Sequence, residues 1–177
     1  MGRPAVTFKG ANEISVALKN RPYTKIYNDL LCARSFSVRM LDGALIQMMY
    51  MFDGNELEQH RLAYFHNPDL EPYQNDPEIY LVDQIYAEIA SRHVSGFPFR
   101  FDFNARTGVH SKSHLTLGQY KNCRIPVTHP VRPTQFVDFL LRNFYDVRYL
   151  NQLPSALDEF DESIEPAARA LTHVHML

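Results

Sequence analysis

The stretch that decides the fold runs from Phe97 to Val127 and reads FPFRFDFNARTGVHSKSHLTLGQYKNCRIPV. Phenylalanine alternates with other residues over its first eight positions, at 97, 99, 101 and 103. Alternation with a period of two predicts a half-buried β-strand whose four rings point to one side. Residues 113–117 and 123–127 alternate in the same way. The stretch therefore predicts three strands that share one apolar core.

The opposite sides of these three strands would gather polar side chains on one face of the sheet. They are Arg100, Asp102, His114, Thr116 and Arg124. Guanidinium groups suit phosphate or carboxylate ligands through paired hydrogen bonds, and an imidazole can transfer protons near neutral pH. The same residues also fit a purely structural interpretation, in which Arg100 and Asp102 form an ordinary ion pair. The sequence alone leaves both interpretations open.

Before this stretch, the pattern predicts one helix and a meander of three strands. The helix covers residues 21–33, with Pro22 in the first position that proline favours. The strands cover residues 36–41, 44–52 and 56–65, and turns containing Asp42-Gly43 and Asp53-Gly54 separate them. Residues 44–52 are apolar on nearly both sides, which is typical of a central strand covered on both faces.

Two further helices complete the predicted architecture. One begins at Asp76-Pro77 and ends near residue 91, and the other begins at Pro133 and ends near Tyr145. The order indicates the α+β class: a mostly antiparallel sheet of about six strands with three main helices packed against it. We expect one α+β domain over residues 1–150 and an acidic C-terminal tail over residues 151–177.

Composition restricts the class of protein and its location. A chain of 177 residues with 45% hydrophobic residues fits one folded domain. The net charge of −2 gives no overall basic balance, so a nucleic-acid partner would need a local basic patch. Cys32 and Cys123 form no C-x-x-C pattern, which favours buried thiols in a reducing compartment over a zinc or redox site. We expect a cytoplasmic protein with no membrane partner, because no apolar run of spanning length and no signal peptide occur.

The common catalytic motifs are absent from the sequence. No P-loop, G-x-G-x-x-G, G-x-S-x-G or H-E-x-x-H occurs, which argues against Walker-type, Rossmann and serine-hydrolase chemistry. His110 and His114 beside Asp102 remain. The three could hold a metal, or the two histidines could act as base and acid in metal-free RNA cleavage. The sequence identifies neither a metal nor a cofactor.

Several motifs resemble the bacterial domain-of-unknown-function family numbered 2290. They are LDGALIQMMYMF (residues 41–52), HRLAYF (60–65), FRFDF (99–103), HSKSHLTLGQYKNCRIPV (110–127) and FVDFLLRNFY (136–145). The resemblance covers roughly residues 36–146, and its most specific parts are SHLTLG and CRIPV. It implies a bacterial type of protein. It carries over no activity, ligand or functional residue, because none is established for the family.

Two functional hypotheses follow from these patterns. The first is a small RNA-cleaving nuclease of the toxin or phage-defence type, with catalytic candidates His114, His110, Asp102, Arg100, Arg124 and Tyr120. The second is a non-catalytic module that docks a partner protein or forms a homo-oligomer through an exposed strand edge. A nuclease predicts that the polar side chains converge on an open, concave pocket, whereas a module predicts that they are spread, paired or covered.

Overall fold

A computed structural model of the chain describes residues 4–11, 21–70, 97–108, 110–119, 123–145, 163–164, 166 and 173–174. Two helices and seven strands occur within these residues. In chain order they are β1 (Ala5–Val6), α1 (Tyr23–Ala33), β2 (Val38–Arg39), β3 (Leu45–Asp53), β4 (Glu56–Phe65), β5 (Phe99–Asn104), β6 (Ser113–Leu117), β7 (Ile125–Pro126) and α2 (Pro133–Phe144). A short 3-10 helix, Pro68–Leu70, follows β4.

The strands form one antiparallel sheet in the order β1-β3-β4-β5-β6-β7, and β2 also pairs with β3. The predicted α+β class with a mostly antiparallel sheet is therefore confirmed. The sequence predicted about six strands, and the described residues contain seven, because Ala5 and Val6 also pair with Met51 and Tyr50. These two residues form a strand through backbone pairing alone, and a two-residue strand is too short to show alternation.

The helices cover opposite faces of the sheet. Phe136 and Leu140 of α2 are fully buried in one core, together with Phe101 and Leu115. Ile26, Tyr27 and Leu30 of α1 pack on the other face, which we call the α1 face, against Leu45, Met49 and Phe65. Strands β3 and β4 contribute to both cores, which confirms the predicted doubly covered strand. The third predicted helix, near residues 76–91, lies outside the described residues.

Three details differ from the sequence predictions. The strand predicted over residues 36–41 is reduced to Val38–Arg39. On one side the Ser37 hydroxyl accepts the Met48 N–H at 2.9 Å in place of a backbone acceptor, and on the other side the chain turns at residues 41–43. Phe97 lies before β5 and is 48% exposed, so three and not four of the alternating phenylalanines enter the core. Cys32 is exposed and Cys123 is partly exposed, so the expectation of two buried thiols is wrong.

Residues from the predicted acidic tail contact the sheet beside β7. The N–H groups of Ser163 and Ile164 both donate to the Thr128 carbonyl, at 2.8 and 3.1 Å. Val174 forms a parallel bridge with Val127. Apart from residues 163–164, 166 and 173–174, the tail lies outside the described residues. Among the helices that the structure describes, none has the length and apolar character needed to cross a membrane.

Candidate functional site

The polar side chains lie in two rows across β4, β5 and β6. Arg61 pairs with Asp102, which pairs with His114, and in the next row Ala63 pairs with Arg100, which pairs with Thr116. Directly paired residues, and residues two apart on one strand, share a face of the sheet. Ala63 belongs to the core under α1, so these residues continue the α1 face toward β6. We call Arg61, Arg100, Asp102, His114 and Thr116 the polar face.

Asp102 is the centre of the polar face. Its Oδ1 accepts a hydrogen bond from Nε of Arg61 at 3.2 Å, and its Oδ2 accepts one from Nε of Arg100. The side chains of Arg61, Arg100 and Asp102 are only 14%, 20% and 13% exposed. Nε2 of His114 lies 3.9 Å from Oδ2 of the same carboxylate. Two guanidiniums and an imidazole therefore surround one carboxylate with limited access to water.

His110 and His114 contact each other edge to face, with ring centroids 4.6 Å apart. Nδ1 of each ring lies within hydrogen-bonding distance of the Ser111 carbonyl, at 3.0 Å for His110 and 3.2 Å for His114. A carbonyl oxygen can only accept, so Nδ1 carries the hydrogen in both rings. Each neutral ring then presents an unprotonated Nε2. The loop that precedes β6 thus directs His110 toward His114, which the sequence did not predict.

The surroundings of His114 lower its pKa below the usual histidine value of 6.5. Burial is the main cause, since it disfavours the charged ring. The negative charge of Asp102 acts in the opposite direction, whereas the charges of His110 and Arg124 lower the pKa further. His114 is consequently neutral at pH 7. This is the state in which an imidazole can accept a proton as a general base.

Arg124 and Tyr120 complete the set of residues selected from the sequence. β6 and β7 pair His114 with Pro126 and Leu115 with Ile125, so the next position in this register sets Arg124 opposite Thr116. Arg124 is exposed, and its charge reaches the His114 ring. Tyr120 lies outside the described residues. The structure therefore brings Arg100, Asp102, His110 and His114 together and leaves Arg124 at their border.

The sequence analysis did not select Arg61, although it ion-pairs with Asp102 at the centre of the polar face. Alternation within β4 would have placed Arg61 on the opposite side from Leu62. It could not have placed Arg61 beside Asp102, because 33 residues separate β4 from β5 in the chain. The pairing of these two strands is a property of the fold, and the sequence around Arg61 contains no pattern that predicts it.

Arginine pairing also argues against a metal site at Asp102. Each carboxylate oxygen accepts a hydrogen bond from a guanidinium, whose positive charge would oppose a cation at the same place. Within the described part of the chain, no group of three or more histidine, cysteine, aspartate or glutamate residues is arranged to hold a metal ion. The geometry therefore gives no support to His110, His114 and Asp102 as a set of metal ligands.

A shallow depression lies at the end of the polar face nearest Arg100 and Thr116. Its other lining residues are Phe65, Pro98, Phe99 and Gly118, and it encloses no space for a water molecule. Beside it, the Gln119 side chain donates a hydrogen bond to the Arg21 carbonyl at 2.9 Å and connects the loop after β6 to the start of α1. This depression is not the open pocket that the nuclease hypothesis predicts.

Comparison with known proteins identifies a family relationship. A family model described as an uncharacterized conserved protein (DUF2290) matches residues 1–176. The match extends on both sides beyond residues 36–146, over which the sequence motifs resembled this family. The comparisons with curated proteins and with solved structures found no match.

Proposed function

The chain belongs to the DUF2290 family, and we propose that it is a small RNA-cleaving nuclease whose active site is the polar face together with His110. The contact between His110 and His114 is the observation that carries this proposal, although the depression beside these residues is not an open pocket. Two histidines that both present Nε2, beside guanidinium groups, supply a base, an acid and positive charge for a phosphate. We assign the activity to the cytoplasm and to a toxin or phage-defence role.

In the proposed mechanism, Nε2 of neutral His114 removes the proton from an RNA 2′-hydroxyl. The 2′-oxygen then attacks the adjacent phosphorus and forms a 2′,3′-cyclic phosphate. The bond from phosphorus to the 5′-oxygen breaks, and a His110 ring that has first taken up a proton from solvent on Nε2 donates it to that leaving oxygen. Arg100 and Arg124 stabilise the charge that develops on the phosphate oxygens. Asp102 is a positioning residue that orients Arg100 and raises the proton affinity of His114.

The chemistry of the products tests this mechanism. Purified protein is incubated with labelled single-stranded RNA, with DNA of the same sequence, and with RNA carrying one 2′-deoxy nucleotide, all in excess EDTA. We expect cleavage of RNA to 2′,3′-cyclic phosphate and 5′-hydroxyl ends, no cleavage of DNA, and protection at the deoxy position. Cleavage of DNA at a similar rate, or a strict need for a divalent metal, would contradict the mechanism.

A second candidate function, a non-catalytic binding or assembly module, is favoured by the pairing of Asp102 with both arginines. A paired, poorly exposed polar cluster is what a structural role predicts. Val6 and Val38 on the two short strands beside β3 are also 60% and 42% exposed, which suits contact with a second copy of the chain. Light scattering tests this candidate: a dimer that Val38→Asp dissociates would support the module, and a monomer would count against self-association.

A further inference from the structure

The η-nitrogens of Arg61 and Arg100 have no protein partner among the residues that the structure describes. Each arginine engages Asp102 through Nε alone. A guanidinium has five N–H donors in a rigid plane, so the four on each pair of η-nitrogens are left to water or to a ligand. The two side chains are still 14% and 20% exposed. The unused donors therefore belong to side chains that are largely buried yet reach the surface.

Charge at this position favours an anion. Two guanidiniums and one carboxylate leave one positive charge in excess, and Arg124 adds another at the border of the polar face. The low exposure of these groups reduces screening by water and salt, which strengthens their attraction for an opposite charge. An anion that accepts several hydrogen bonds would satisfy both the excess charge and the unused donors.

We propose that Arg61 and Arg100 form a binding site for a tetrahedral oxyanion, with Asp102 holding the two guanidiniums apart and in orientation. Each oxygen of Asp102 accepts a hydrogen bond from one Nε, so both guanidinium groups are positioned before the ligand binds. Paired η-nitrogens match the spacing of two phosphate oxygens, which a lysine ammonium does not. Thr116, directly across from Arg100, places a hydroxyl beside the site.

This inference deepens the proposed function and rests on it for the identity of the natural ligand, the phosphodiester of RNA. It changes the assignment of roles, because Arg61 replaces the exposed Arg124 as the principal partner of Arg100. The phosphate would then lie next to His114, which is the residue across from Asp102 in the same row as Arg61. Binding of the anion and cleavage of RNA can be measured in separate experiments.

Titration of the full-length protein with inorganic phosphate tests the site, with calorimetry and the arginine Nε–H resonances as readouts. Wild type is expected to bind saturably, with changes at the Arg61 and Arg100 resonances. Arg61→Lys and Arg100→Lys are expected to weaken binding by about tenfold or more, since each removes a charge-assisted fork. Arg39→Lys, on the exposed strand β2, is the matched control and should change affinity by less than about twofold.

The lysine variants keep a positive charge beside Asp102, so they are expected to fold, and their melting curves check this. The absence of saturable binding to wild type would overturn the site, as would equal losses in Arg61→Lys and Arg39→Lys. Cleavage of RNA is then measured for the same proteins. Phosphate binding without RNA cleavage would refute the nuclease and leave the oxyanion site standing. If Arg61→Lys loses phosphate binding but cleaves RNA at the wild-type rate, the RNA phosphodiester is not the ligand of this site.

Discussion

At the scale of single residues, the proposed chemistry depends on how two histidines and one carboxylate are held. The Ser111 carbonyl fixes the tautomer of both rings through hydrogen bonds to Nδ1. Burial keeps His114 neutral, and Asp102 moderates that effect through its charge. These two influences oppose each other, so removing the charge of Asp102 and measuring the pH dependence separates them.

The pH dependence of RNA cleavage follows from the lowered pKa of His114. A general base loses activity as pH falls through its own pKa, so the acid limb of kcat/KM against pH should lie below 6.5. Asp102→Asn should move this limb to still lower pH, because it removes the charge that raises the pKa of His114. An acid limb above 6.5, or an upward shift in Asp102→Asn, would contradict the roles assigned to both residues.

Gly43 shows a second residue-scale constraint, in the turn between β2 and β3. Its φ of 87° disfavours any side chain, and a Cβ added there would lie 2.8 Å from Nδ2 of Asn67. That nitrogen donates to the Asp42 carbonyl at 3.3 Å, so moving it weakens a hydrogen bond. Gly54 has a similar φ of 63° but open space around it.

Gly43→Ala should therefore destabilise the protein more than Gly54→Ala. Both substitutions incur the cost of a left-handed residue, about 1 kcal/mol, and only Gly43→Ala adds the contact with Asn67. We expect a further loss of about 1 kcal/mol from that contact and the weakened hydrogen bond. Urea unfolding of the two variants measures the difference. Equal free energies of unfolding would show that Asn67 moves aside without cost.

At the scale of elements, alternation and turn residues predicted most of the sheet. The bounds of β4 and β6 agree with the predicted strands, and β3 differs by one residue at each end. Short edge strands were less predictable, because β1 and β2 contain two residues each and depend on backbone pairing with β3. The helices α1 and α2 begin within two residues of their predicted positions, since Pro22 and Pro133 mark those starts.

Helix α2 is held to the sheet by an apolar stripe and by polar contacts at its end. Phe136 packs edge to face on Phe101, with ring centroids 6.1 Å apart. At the end of the helix, the Tyr145 hydroxyl donates to the buried carboxylate of Asp42 at 2.7 Å. Burial raises the pKa of Tyr145, so the phenol keeps its hydrogen for this bond at any pH the protein experiences.

Truncation of Leu140, which is fully buried under α2, tests the energy of this packing. Leu140→Ala removes buried methyl groups and leaves a cavity, so we expect a loss of about 2–5 kcal/mol in the free energy of unfolding. Leu41 is 95% exposed, and Leu41→Ala should change stability by less than about 0.5 kcal/mol. Chemical denaturation compares the two, and similar effects would contradict the assignment of α2 to the core.

At the scale of the whole molecule, the proposed nuclease would have to bind a polyanion with a chain of net charge −2. A local excess of positive charge at Arg61, Arg100 and Arg124 would provide the attraction. Interaction with RNA should then involve only a few phosphates and depend moderately on salt. General attraction of a basic protein to nucleic acid would be far more sensitive to salt.

The salt dependence of RNA binding measures this directly. With His114→Ala to prevent cleavage, a plot of log affinity against log salt should have a slope of about −2, as expected for three cationic contacts to a single strand. Arg61→Gln should reduce the magnitude of the slope by about 0.7. A slope near zero, or one that Arg61→Gln leaves unchanged, would contradict the local patch.

The candidate site was predictable only in part. Alternation within residues 97–127 placed Arg100, Asp102 and His114 on one face, and the strand register agrees. It could not show that Asp102 is held by Arg61, because that contact requires β4 and β5 to pair across a long connection. Alternation also could not predict the orientation of His110, because that orientation depends on the Ser111 carbonyl in a loop without periodicity.

The most direct test of the central claim is the initial rate of single-stranded RNA cleavage by His114→Ala compared with His129→Ala. His129 is a partly exposed histidine outside the polar face, and its ring contacts the adjacent Pro130 carbonyl. We expect His114→Ala to lose about 100-fold or more of the activity and His129→Ala to retain the wild-type rate within about twofold, both with wild-type circular dichroism. Equal rates for the two variants, or no cleavage by wild type, would contradict the claim that the polar face is a catalytic site.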